Sequence, residues 1–167
     1  MHERRIRTEF KNCLTTFQQS SVNYFKTVRA WRPDSLYIPG NFEEDTLPMA
    51  GIEMFAGVTK YDEPTSQVAF VVMVYVIAQA TSTFADEQYE DMIFDLWEWL
   101  WKKMKARLEG EDIGTTGEEE IVTKVRLREW KVEGREDVFR AALQLLESGY
   151  FGSWFRFEIT TQRTNPI

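Results

Sequence analysis

The chain has 167 residues, 43% hydrophobic and 28% charged, enough to bury the core of one domain without disulfide staples. Its formal net charge of −7 repels phosphate, which argues against a module that grips duplex nucleic acid, and its one cysteine excludes an intramolecular disulfide. The longest apolar run, Val68 to Ala78, is too short to cross a bilayer as a helix, and no apolar stretch follows the start Met1-His2-Glu3-Arg4-Arg5, so neither a secretory signal nor a membrane partner is expected.

Residues 3–28 read as one amphipathic helix. Ile6, Phe10, Cys13, Leu14, Phe17, the small Ser21, Tyr24, Phe25 and Val28 follow steps of three and four, the spacing of one helical face. Arg32-Pro33-Asp34 ends it, because proline disfavours helix in the residue before it. A long loop spans 33–50, with a short extended piece at Ser35–Ile38. A strand follows, in which Ile52, Met54, Ala56 and Val58 alternate with Glu53, Phe55 and Gly57. Tyr61 to Thr65 is a turn. The next strand, Gln67 to Gln79, is apolar at every position from Val68 to Ala78. Such a strand must be covered on both faces, so it is either central in a sheet or buried by a neighbouring subunit.

The helix from Phe84 to Leu108 has Thr83 as its cap, acids in its first half and bases in its last turns, an order that complements the helix dipole. Tyr89, Met92, Ile93, Leu96, Trp97, Leu100, Met104 and Leu108 make its main stripe, widened by Phe94, Trp99 and Trp101. The apolar arc covers roughly 220°, against about 100° or somewhat more for a helix packed on one core. Either the helix is sandwiched between the sheet and the first helix, or part of the arc is a subunit interface. The aromatic content of 14%, with 6 Trp and 12 Phe, also points toward subunit contacts.

Residues 109–120, rich in glycine and acid, read as a flexible solvated loop. In the strand at 121–132, Ile121, Val125 and Leu127 look inward, while Lys124, Arg126, Arg128 and Trp130 make a basic and aromatic outer face. Residues 135–148 give a short helix ended by Gly149. In the last strand, 153–162, Phe155, Phe157 and Ile159 point one way and Trp154, Arg156 and Glu158 the other; 164–167 is a tail. The expected fold is one α+β domain over 1–167: a four-stranded, mostly antiparallel sheet with two long helices on one face, plus a short helix before the last strand.

Chemistry is hard to assemble from these residues. The only histidine is His2, so no Ser-His-Asp or Cys-His arrangement is available, and Cys13 lies on an apolar helical face as a small hydrophobe. One cysteine and one histidine do not make a zinc site, residues 109–120 lack the alternating ligands of an EF-hand, and Gly110, Gly114 and Gly117 lack the context of a phosphate loop. No cofactor, metal or catalytic residue is assigned, and no enzyme is expected. Lys124, Arg126, Arg128, Trp130, Trp154 and Arg156 faintly echo a stacking platform for nucleic acid, but the net charge favours a face that meets acid on a neighbouring subunit.

Four segments carry a family likeness. They are the opening helix Ile6–Val28, the loop ending Leu47-Pro48 before a strand at Gly51, the apolar strand Val68–Ala78 followed by a capped helix with Phe94, Leu96 and Trp97, and the closing Gly152-Ser153-Trp154-Phe155-Arg156-Phe157-Glu158-Ile159-Thr160. Their order resembles the tail terminator proteins of long-tailed bacteriophages; the acidic stretch 109–120 and the helix 135–148 depart from it. The resemblance implies a virion protein, assembled in the host cytoplasm, that forms a homo-oligomeric ring, hexameric in the family. Such a ring sits at the head-proximal end of the tail tube, with tube protein on one side and the head connector on the other. It implies no sequence-specific nucleic-acid contact, though DNA passes through the lumen. The interface residues expected are Phe94, Trp99, Trp101, Lys124, Arg126, Arg128, Trp130, Trp154 and Arg156. Two readings compete with it: another neck or tail-completion protein, and a monomeric module holding a small apolar ligand beneath the long helix.

Overall fold

The computed structural model describes residues 2–31, 47–62, 65–79, 86–115, 117–131 and 150–164; at 2, 56–62, 65–66, 79, 86–87, 130–131 and 150–151 the description is of the backbone alone. Helix α1 (His2–Thr15) buries Ile6, Phe10, Cys13 and Leu14. It stops well before the expected Val28. Adjacent β-branched residues close it: Thr15 Oγ1 donates back to the Lys11 carbonyl and Thr16 Oγ1 to the Cys13 carbonyl, both at 2.8 Å. Ser20 and Ser21 then take φ of 52° and 64°, turning the chain between β1 (Gln18–Gln19) and β2 (Val22–Asn23). Phe17 and Phe25 stay buried because the hairpin folds back and brings their rings to 6.1 Å, so their helical spacing is a coincidence of sequence.

The sheet also differs from the expected one. It is five-stranded and mixed rather than four-stranded and mostly antiparallel, in the order β3-β4-β5-β7-β6, and β1–β2 forms a separate two-stranded sheet. The extra strand is β3 (Thr27–Ala30), which overlaps the end of the expected helix at Thr27 and Val28; it pairs in parallel with the start of β4 (Met49–Asp62) from Thr27↔Met49 to Ala30↔Ile52. A remote partner decided the conformation of these four residues, which a local pattern does not see. At Gly51 an added Cβ would meet the Trp31 ring carbon at 2.9 Å, so only glycine allows the indole to lie across β4.

β5 (Thr65–Gln79) is the middle strand, flanked antiparallel by β4 and by β7 (Tyr150–Thr164), so its coverage on both faces comes from within the chain. Its even residues from Phe70 to Ala78 enter the main core, and Met73, Tyr75 and Ile77 enter a smaller cluster on the opposite face with Trp31, Leu47, Met49 and Trp154. β6 (Glu120–Lys131) pairs antiparallel with β7 at the sheet edge. A register shift between Val122 and Lys124 puts Val122 in the core with Val125 and leaves Ile121 half-buried, correcting the inward set expected for this strand. Phe155, Phe157 and Ile159 of β7 are buried on the helix side, as their alternation indicates.

Both helices cover the same face of the sheet. Helix α2 (Asp86–Leu108) lies over β6 and β7, and α1 lies over β3 and β4. The helices run antiparallel: Glu9 pairs with Arg107 at 3.6 Å, and Phe17 meets Trp99 at 5.2 Å. No helix among the described residues is long and apolar enough to cross a membrane. The expected pieces at Ser35–Ile38 and 135–148, and the Thr83 cap, lie outside the described residues.

Residues 109–120 are tied down rather than solvated throughout. Asp112 Oδ1 accepts from the amides of Gly114 and Glu120 at 2.8 and 3.0 Å, and Glu109 Oε1 accepts from the Val125 amide at 3.0 Å. Backbone bonds from Gly110 to the Val122 carbonyl and from Ile113 to the Glu120 carbonyl dock the loop on the edge of β6, and Ile113 is buried. Carboxylates therefore serve here as caps for backbone amides, the same use acidic side chains find in turns.

Candidate interaction surfaces

The wide apolar arc of α2 is largely absorbed inside the chain. Trp99 packs against Phe17 on the α1 side. Across the helix, Trp101 donates its indole N–H to the Val125 carbonyl at 3.3 Å and lies 5.3 Å beneath Lys105 Nζ. Trp97 is also packed on the core. Phe94 differs: it is 42% exposed, on the flank of α2 that faces away from α1. Below the helix the space is filled by side chains such as Phe10 and Phe157, whose rings meet edge-on at 5.2 Å, and this packing counts against a ligand chamber there.

The opposite sheet face divides into two halves. One is the apolar cluster that buries Trp154. The other is charged, and its charges largely answer one another. Arg128 grips Glu158 with two bonds, Nε to Oε2 at 3.2 Å and Nη2 to Oε1 at 2.9 Å; Arg126 reaches the same carboxylate at 3.4 Å. The Arg128 hydrogen bonds hold the Glu158 carboxyl below the usual carboxylate range and raise Arg128 further. Arg156 approaches Glu129 at 3.8 Å, and Lys124 is exposed nearby. The structure thus brings Lys124, Arg126, Arg128 and Arg156 to one face, with two of the guanidiniums already matched by Glu158 of the same chain. The side chain of Trp130 lies outside the described residues.

Sequence reasoning passed over a second set of charges. Arg4, Arg7 and Lys11 are exposed on α1, at about 100° per residue close to opposite Glu9, which marks the side toward α2. They form a basic strip on the outer flank of the helical layer. The signal was present in their i, i+3, i+7 spacing. Glu90 and Phe94 lie opposite Trp99 around α2, and Asp91 and Glu98 lie on the adjoining outward surface, away from the sheet, so this side of the helix is acidic and partly apolar. Toward the C-terminus of α2 this flank turns basic at Lys105.

Groups with chemical potential are quiet. Burial pushes the Cys13 thiol up to about 11, with Arg107 and Lys103 opposing. Tyr24 and Tyr89 are raised well above the ordinary phenol by desolvation, and Tyr89 shares a 2.7 Å hydrogen bond with buried Ser153. Glu120 is buried; it accepts from Thr161 Oγ1 at 2.6 Å and from Arg163 Nη2 at 3.1 Å. Among the described residues no three His, Cys, Asp or Glu side chains converge on a point that would hold a metal ion.

What fold and surfaces define together is an α+β protein with its helices layered on one face of a mixed sheet and oppositely charged flanks. Compared with known proteins, the sequence matches no family model and no curated protein.

Proposed function

We propose that this chain is a virion structural protein of the tail-terminator kind, a ring-former that ends a bacteriophage tail tube and offers a surface to the head. The observation that supports this reading is the placement of the four segments that carry the resemblance. They supply α1 with the β1–β2 hairpin, the start of β4, β5 with α2, and β7, in chain order, although the opening segment is helical only to Thr15 rather than to Val28. The pieces that depart from the family pattern include the edge loop at 109–120, which docks on β6 and sends Ile113 into the core. Ring formation would be driven by subunit burial and charge complementarity, with no chemical step.

Purified protein should give a closed ring by native mass spectrometry, of six chains if the family stoichiometry holds. It should cap isolated tail tubes of the phage that encodes it, visible at one end by negative-stain microscopy, and block further tube growth. A protein that stays a single chain at high concentration and leaves tube ends bare would refute the proposal.

A further inference from the structure

The two outer flanks of the helical layer carry opposite charge, and we infer that the basic flank of α1 in one copy docks on the acidic, Phe94-bearing flank of α2 in the next. The inference rests on the ring reading above and specifies which surfaces meet. Arg4, Arg7 and Lys11 are exposed on one flank; Glu90 and Phe94 are exposed on the other, with Asp91 on the outward surface of α2 beside them. None of the five charged groups forms an ion pair among the described residues, whereas exposed Glu98 pairs with Lys102 and half-buried Glu9 with Arg107. Glu90 and Asp91 also lie past the first turn of α2, so the helix dipole gives them little local purpose.

The occupant of each flank is a second copy because the two are complementary to each other and not to themselves. A flank that met its own kind would set like charges together, so an isologous pair is disfavoured and a head-to-tail contact favoured. The stems of Arg7 and Lys11 are apolar below their charged heads, and an aromatic ring such as Phe94 can lie against them while the heads reach carboxylates on either side.

The geometry adds a constraint on the ring. Because the helices are antiparallel, with Glu9 level with Arg107, the basic strip sits beside the C-terminal end of α2 and the Phe94 patch sits toward its N-terminal end. At 1.5 Å per residue the two patches are offset by about 20 Å along the helices. In a closed ring, surfaces that meet must lie at the same height on the symmetry axis. The helices are therefore inclined to that axis; set parallel to it, the same contact would climb into an open filament.

Two variants of the full chain test the pairing, Arg7→Glu with Lys11→Glu, and Glu90→Lys with Asp91→Lys. The substituted positions are exposed, and unchanged thermal melts check that each variant folds. Each variant alone should lose the ring mass in native mass spectrometry, because both of its flanks then carry the same sign. Mixed one to one they should recover it, as alternating rings with an even number of chains, since every contact in the mixture pairs acid with base. Phe94→Lys should weaken the ring without altering the helix acids. Rings that persist in both double variants, or variants that stay dissociated on mixing, overturn the flank pairing while leaving ring formation standing. A wild-type protein that forms no ring overturns the ring reading and the pairing together.

Discussion

Replacing Glu120 by alanine tests how the edge of the sheet is held. The carboxylate is fully buried and sits directly opposite Arg163 in the β6–β7 register. Alanine removes the acceptor for Thr161 Oγ1, a 2.6 Å bond to a charged group, and for Arg163 Nη2 at 3.1 Å. A hydrogen bond to a charged group contributes about 1.5–3 kcal/mol. Breaking a fully buried ion pair costs about 3–5 kcal/mol because the surviving charge is stranded. Here the arginine side chain is 33% exposed and can recover part of its hydration, so the lower end applies. The expected loss is about 3 kcal/mol, equivalent to a fall of roughly 6–12 °C in Tm for a chain of this size. Urea unfolding followed by tryptophan fluorescence reads it as a midpoint lowered by about 1.5 M, for a slope near 2 kcal/mol/M. Glu120→Gln keeps the shape and one acceptor and should lose about half as much. A double-mutant cycle with Arg163→Ala should give a coupling above about 1 kcal/mol. If Glu120→Ala unfolds within 1 kcal/mol of wild type, the reasoning is refuted, because the carboxylate would then have been replaceable by water.

Two further outcomes follow from local features. Ser20→Asn with Ser21→Gly should stabilise the fold by about 1 kcal/mol, measured by chemical denaturation, since both serines hold positive φ in a two-residue hairpin that suits Asn-Gly; a loss of stability would show that the serine side chains hold the turn. For Cys13 the folded thiol titrates at about 11 against 9.0 for the ordinary group. A raised folded value means that its stabilising contribution is complete below pH 9 and disappears as pH climbs from 9 toward 11. The native thiol should accordingly resist a thiol reagent at pH 8.5 and react promptly in urea. Cys13→Ala should flatten the alkaline decline from pH 9 to 10, where the thiol leads the two raised tyrosines, whose contribution fades from the ordinary value of 10.0 upward; an equally steep decline would assign it to other groups.

The parts of the fold that were legible in the sequence are those whose pattern is enforced by burial on a long element. The unbroken apolar run of β5 announces a strand either central in a sheet or buried by a neighbouring subunit, and it is central; Phe155, Phe157 and Ile159 announce which face of β7 is inside. Two errors came from non-local causes. Thr27–Ala30 is a strand because Met49–Ile52 lies beside it, and nothing within those four residues says so. Val122 rather than Ile121 is buried because a bulge shifts the β6 register by one residue, a change that reverses every facing before it. The candidate surfaces were legible by the same measure. Excess apolar arc on α2 marked Trp99 and Trp101, yet the arc is mostly filled by α1 and β6. Arg126 and Arg128 stood out as basic, but their partner Glu158 is thirty or more positions away and becomes a neighbour only through strand pairing. The charges of Arg4, Arg7 and Lys11 were visible all along; what the sequence lacked was the direction in which α2 would lie.

The strand order has a consequence for how the molecule comes together. β7 follows β6 along the chain but is inserted between β5 and β6. Until residues 150–164 arrive, β6 has no sheet to join and the inner edge of β5 stays unzipped, greasy on both faces. A ribosome stalled near residue 149 would therefore hold a nascent product with two strands waiting for a third, ready to aggregate rather than to rest as a partial domain. Completion depends on contacts far apart in the chain, so folding should be slow for its size and should gain from a chaperone that shields β5 during synthesis.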